Sequence, residues 1–198
     1  SSFNILYFGS PLTIRGIDSL IKAVSKVKNE YSHVKLLILS RRRDNELSRE
    51  ELDAQNLILK LGIEKNVQII SGFLDKDEVK KFIGFSDLIA LPFKIVPSDV
   101  PTSILESMAL GKTVISTAVD GIPELLEDGK GFVVKPNKED DLAEKIVFSI
   151  QNRDLTKDMG KKAASYMQTY PRWQDISESV ISEITEIFDK RSQSEVAL

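Results

Sequence analysis

A chain of 198 residues, 41% of them hydrophobic, can bury the core of one α/β domain and carry a helical appendage. A formal charge of -3 and a pI near 5.4 exclude a general nucleic-acid-binding surface. The absence of cysteine excludes disulfides and thiolate chemistry, and the single histidine, His33, excludes a metal cluster built on several histidines, so no metal site is expected. No stretch approaches the roughly 20 apolar residues of a membrane span, and no signal-peptide pattern opens the sequence. Together with the lack of cysteine this gives the expectation of a cytoplasmic protein without a transmembrane segment.

The first predicted strand is Asn4 to Phe8, closing on Gly9. The loop Gly9 to Gly16 (GSPLTIRG) leads into a helix whose apolar residues Ile17, Leu20, Ile21, Val24 and Val27 keep a helical period. A glycine at the carboxyl end of a strand, followed by a helix, is where open α/β sheets take ligands. Val34 to Leu39 is the second strand, and Ser40 to Arg43 (SRRR) follows it at the same end of the sheet. Three arginines in a loop read either as a solvated surface or as a phosphate-binding group, with Arg41, Arg42 and Arg43 the candidates. Ser48 and Glu51 have capping-box spacing for a helix that Gly62 stops.

Val67 to Ile70 is the third strand, with Ser71, Gly72 and Phe73 after it. Asp75 to Phe85 reads as an amphipathic helix, and Asp87 to Leu91 as the fourth strand. The next stretch, Pro97 to Thr117 (PSDVPTSILESMALGKTVIST), organises the rest. Pro97 and Pro101 keep its start irregular, Thr102 or Ser103 can cap a helix, and Ile104, Leu105, Met108 and Ala109 recur on one face. Glu106 lies near the start of that helix, Gly111 ends it, and Thr113 to Ser116 form the fifth strand. A helix leaving a polar loop points free N–H groups and the positive end of its dipole outward, which makes an anion site. Glu106 then either counters the dipole or accepts hydrogen bonds from sugar hydroxyls.

Asp120 to Glu124 turns into a helix with Pro123 near its start. Phe132 to Val134 is a sixth strand, and Asn137 or Asp140 caps a helix to about Ile150. From Leu155 the pattern is helical throughout, broken near Pro171 and ending about Lys190, with Gln193 to Leu198 a frayed tail. The expected division is a Rossmann-like domain over 1–154 and a helical extension over 155–198.

The stretch around Glu106, followed by DGIPELL at Asp120 to Leu126 and GKGFVVKP at Gly129 to Pro136, resembles the donor-binding signature of family 4 glycosyltransferases with the GT-B fold. The resemblance runs from Asn4 to about Lys190 and matches the carboxyl-terminal half of that family. It implies an α/β fold with a Rossmann-like parallel sheet of about six strands, helices on both faces, and C-terminal helices. The partners it implies are a nucleotide-sugar donor and an N-terminal acceptor domain, with no further cofactor. Peripheral membrane association would come through that other half, and no nucleic acid is implied.

By the same resemblance Glu106 would hold the donor ribose. Arg15, with the N–H groups of Thr102, Ser103 and Ile104, would meet the diphosphate at Gly9 and Ser10, and the backbone of Gly72 and Phe73 would meet the base. Asp99 and Gly121 would lie near the donor sugar, while Ser40 and Arg41 are candidates for the phosphate side by their position at a strand's carboxyl end, where many family members have a glycine-rich turn. Two positions depart from the family pattern. Ser98 stands where the first of two paired acids is usual, with Asp99 beside it, and Ser10 stands where an Arg is common. The implied activity is transfer of a sugar from a nucleotide-diphosphate donor, possessed by a two-domain enzyme of which this chain is one half. The alternatives are a nucleotide-sugar epimerase-like domain and a non-catalytic nucleotide-binding or interaction module.

Overall fold

The computed structural model describes residues 2–41, 48–96 and 100–196, with side chains described at 2–40, 48–96 and 100–188. Six parallel strands form one sheet: β1 Phe3–Phe8, β2 Val34–Arg41, β3 Val67–Gly72, β4 Leu88–Leu91, β5 Val114–Thr117 and β6 Gly131–Val134. Their order is β3-β2-β1-β4-β5-β6. The helices between them are α1 Ile17–Val27, α2 Arg49–Leu61, α3 Lys76–Phe85, α4 Thr102–Ala109 and α5 Ile122–Leu126, and α6 Glu139–Gln151 follows β6. The expected α/β, Rossmann-like architecture of six strands is the one observed.

Parallel strands are buried on both faces, so they read as continuous apolar runs. β1, β4 and β5 do so: Ile5, Leu6, Tyr7, Leu88, Ile89, Leu91, Val114 and Ile115 are all buried. Right-handed crossovers place α1 and α2 on one face and the helices after β3 and β4 on the other. α6 returns to pack against α1. Every apolar residue expected to face inward on α1 is buried.

Chain order matters more than sheet size here. From β1 the chain moves outward to β2 and β3, then returns across the sheet to β4 beside β1. The loops after β1 and β4 therefore leave neighbouring strands at their carboxyl ends, the switch point where such sheets bind ligands.

Several local expectations are corrected. α4 is capped by Pro101, not by Thr102 or Ser103, and the cap has no side-chain hydrogen bond. Its buried face consists of Ser103, Ile104, Ser107 and Met108, while Ala109 is exposed. Ser107 can be buried because its hydroxyl donates to the Ser103 carbonyl at 2.7 Å, the residue one turn back. α6 begins after Lys138, again without a side-chain cap. The capping box expected at α2 is half made. Ser48 accepts from the Glu51 N–H at 3.2 Å, but the Glu51 carboxylate turns inward to the Ser40 and Ser71 hydroxyls instead of back to Ser48. A capping box does form where none was expected, between Asp75 and Glu78.

One compact unit extends to Met167. α7 Arg153–Thr169 lies against the turn before β5, where Thr113 donates its hydroxyl to the Thr156 carbonyl. Gly160 permits this approach: a Cβ there would lie 2.2 Å from the Gly111 carbonyl oxygen. Residues Gln168–Leu198 form a separate unit dominated by α8 Trp173–Val196, so helix continues into the tail expected to fray.

Candidate functional site

The site is built from the two loops that leave β1 and β4. After Phe8 the chain passes Gly9 at φ 120°, a conformation that glycine adopts without a Cβ penalty. A short 3-10 turn, Thr13–Arg15, then brings Arg15 back beneath the glycine. A Cβ on Gly9 would come within 2.6 Å of the Arg15 Nη2. Gly16, at φ 74°, starts α1 so close to the other loop that a Cβ there would lie 1.8 Å from the Pro92 carbonyl oxygen. The Ile14 carbonyl accepts from the N–H groups of both Lys94 and Ile95, at 2.8 and 3.2 Å. Lys94 also pairs with Asp18 at 2.8 Å. Backbone bonds and one ion pair thus lock the two loops together.

Arg15 is held by contacts that leave its charge uncompensated. Its guanidinium carbon stands 5.0 Å from the centroid of the Phe93 ring, in cation–π range. Nη2 reaches the Phe8 carbonyl only at 3.5 Å, and Nε is buried with no partner. No acidic side chain among the described residues pairs with it. A guanidinium presents five donors in a planar fork, and here the buried Nε donor is unspent. Such a group at a topological switch point is suited to an anion.

Below this loop, Tyr7 is fully buried and donates its hydroxyl to the Ser10 carbonyl at 2.7 Å. Burial pushes the phenol up to about 12, while the neighbouring Arg15 charge pulls the other way. The loop after β4 is anchored from the opposite side, with the Thr117 hydroxyl donating to the Phe93 carbonyl.

α4 starts from the same end of the sheet. Thr102 is exposed, Ser103 is buried, and Glu106 is exposed in the second turn, its carboxylate without a hydrogen bond or ion pair to the described residues. Ile104 contributes its side chain to the core, and its N–H closes on the Pro101 carbonyl at 3.0 Å. Asp99 and Ser98 lie outside the described residues, as do Arg42, Arg43 and the side chain of Arg41.

On the other side of β1, Ser40 is buried and its hydroxyl donates to the Glu51 carboxylate at 3.3 Å, so it faces the core. Gly72, at φ 142°, ends β3 opposite Arg41 in register, and Phe73 follows it with 76% of its surface exposed. Gly121 caps α5. Among the described residues no group of three metal-ligating side chains gathers. A cavity of about 510 Å³ lies elsewhere, between α3 and the starting ends of β1, β2 and β3.

Sequence reasoning missed Phe93 and Tyr7. Phe93 carries no local signal, because its role depends on a residue 78 positions earlier in the chain, Arg15. Tyr7 reads as one more apolar residue of a strand.

Comparison with known proteins fits this architecture. The family described as glycosyl transferases group 1 matches residues 2–166. The chain belongs to that family. Group 1 glycosyl transferases of known structure share its fold. The carboxyl-terminal domain of the group 1 protein LpcC from Francisella tularensis superposes with a TM-score of 0.73 at 20% identity, over 85% of each chain. The Anabaena protein HepE, in complex with UDP-glucose, gives a TM-score of 0.79 at 20% identity, covering 94% of this chain and 49% of that one. Among curated relatives, the lipopolysaccharide 1,2-N-acetylglucosaminetransferase of Salmonella typhimurium is 24% identical over 191 residues, 94% of this chain and 49% of its own length. The chain spans about half the length of the curated relatives it matches. Among the described residues no helix is long and apolar enough to cross a membrane.

Proposed function

We propose that the chain is the donor-binding half of a glycosyltransferase that moves a sugar from a nucleoside-diphosphate sugar to an acceptor held by another domain. The observation that carries this reading is Arg15: a guanidinium fixed over Phe93 at the β1/β4 switch point with no counter-charge among the described residues. A diphosphate is the anion that such a fork and the free N–H end of α4 accept together. Glu106, exposed in the second turn of α4, is the acceptor for the ribose hydroxyls. Asp99 is the candidate for the donor sugar. The UDP-glucose bound to HepE, a protein of the same fold, favours a uridine nucleotide.

In the reaction the bond between the sugar and the diphosphate breaks, and negative charge develops on the departing nucleoside diphosphate. Arg15 and the N–H groups of Thr102 and Ser103 offset that charge, each contributing roughly 3 kcal/mol if well placed. The chain alone binds donor and does not turn it over, because the acceptor side is absent from it. Ser10 and Ser98, which replace an Arg and an acid of the family pattern, favour a second reading, a nucleotide-binding module without transfer activity.

Calorimetric titration of the chain with UDP-, GDP- and ADP-sugars, repeated with Glu106→Gln, tests the donor site. Binding of one nucleotide class that weakens at least tenfold in the variant supports it. Binding unaffected by the substitution would confine Glu106 to its helix, and silence across the panel would remove the donor site.

A further inference from the structure

Tyr7 lies in the core, yet its polar contacts lead out of it. The ring is fully buried against the sheet, where Phe would fill almost the same volume. The hydroxyl is therefore what needs explaining. It donates to the Ser10 carbonyl at 2.7 Å, in the residue after Gly9, and Arg15 is close enough for its charge to act on the same oxygen. Gly9 in turn rests against the Arg15 guanidinium, with no room for a methyl group between them. Hydroxyl, turn and guanidinium form one packed unit, in which a shift of the turn displaces the cation.

We propose that Tyr7 is a positioning residue for the anion site: by holding the Ser10 carbonyl it fixes the Gly9–Ser10 turn over Arg15 and keeps the guanidinium in place at the β1/β4 switch point. This rests on the reading of Arg15 as the diphosphate partner. Tyr7 touches no ligand itself. It acts by reducing the number of arrangements from which Arg15 must be recruited, so its loss appears as weaker binding of a phosphorylated ligand. The residue is not marked by any motif, because the link between a strand interior and a loop carbonyl exists only once β1 and its turn have folded.

The experiment is a double-mutant cycle read by calorimetric titration with UDP, on the whole 198-residue chain. Tyr7→Phe is expected to weaken UDP binding about fivefold to tenfold, the size of one hydrogen bond's contribution. In an Arg15→Lys background, where the planar fork is already gone, the same substitution is expected to change affinity less than twofold. A purely structural tyrosine would lower the urea midpoint and leave UDP affinity unchanged in both backgrounds. That result, or an equal loss in both backgrounds, overturns the proposal. Ser10→Gly loosens the other end of the link without touching the core, and serves if Tyr7→Phe folds poorly. It should weaken UDP binding with Arg15 present and not with Lys, and no effect with Arg15 present overturns the proposal. Failure of the unaltered chain to bind UDP, GDP and ADP alike would overturn the donor-site reading itself, and Tyr7's role with it; binding with no response to Tyr7→Phe overturns only the latter.

Discussion

Arg15 stands over the ring of Phe93 at 5.0 Å, although the two residues come from loops after different strands, and its Nε is buried without a partner. Stability alone does not favour such an arrangement. A guanidinium with a desolvated, unpaired donor costs free energy that a structural arginine would recover through a carboxylate.

Arg15→Met is accordingly expected to leave the urea midpoint unchanged or raised, while UDP affinity falls at least tenfold. Loss of both stability and affinity would mean that Arg15 serves the fold. Chemical denaturation and titration on the same preparation separate the two.

Gly9 and Gly16 should fail in different ways. At Gly9 the obstacle to a methyl group is the end of a flexible side chain, so Gly9→Ala displaces Arg15 at a cost of roughly 1–3 kcal/mol, mostly backbone strain at φ 120°. At Gly16 the obstacle is the Pro92 carbonyl, fixed backbone. Gly16→Ala must push the two loops apart, and should cost more than Gly9→Ala. Urea unfolding of the two variants, compared directly, checks the order, and Gly9→Ala should also lose UDP affinity.

Glu51 joins the carboxyl ends of β2 and β3 by accepting from Ser40 and Ser71, which are neighbours in register. Glu51→Ala strands two hydroxyls where water is scarce and should destabilise the chain by about 2–4 kcal/mol. Glu51→Gln retains one acceptor oxygen and should cost less. An alanine variant within about 0.5 kcal/mol of the parent would show the buried bonds to be energetically neutral.

Tyr7 gives a pH test with a definite sign. Its folded value near 12 lies above the ordinary 10.0, so between those limits the folded state retains a proton that the unfolded state has lost. The corresponding stability is complete below pH 10 and is lost as pH rises toward 12. Between pH 9 and 11.5 the chain should lose about 2 kcal/mol more than Tyr7→Phe does, the integrated linkage for that shift. Parallel alkaline limbs in the two proteins would contradict it.

The order of strands and helices was legible in the sequence because it depends on local patterns. Apolar runs of strand length, the inward stripe of α1, and Gly62 at the end of α2 each follow from neighbours a few residues apart. The spacing around Glu106 likewise pointed to the loop and helix on which a donor site could be built. Caps were less legible, since Asn137, Thr102 and Ser103 all have cap chemistry and the chain used Lys138 and Pro101 instead.

What only the tertiary structure decided was pairing across distance. Ser40 looked like a ligand contact until Glu51 claimed its hydroxyl, and Glu51 looked like half of a capping box until two strand ends drew it inward. Arg15 acquired its ring, its glycine and its buried Nε only when β1 and β4 became neighbours. Sequence sets the types of groups available and their local conformations. Which polar group is spent inside the fold, and which is left for a ligand, depends on long-range packing that no local pattern encodes.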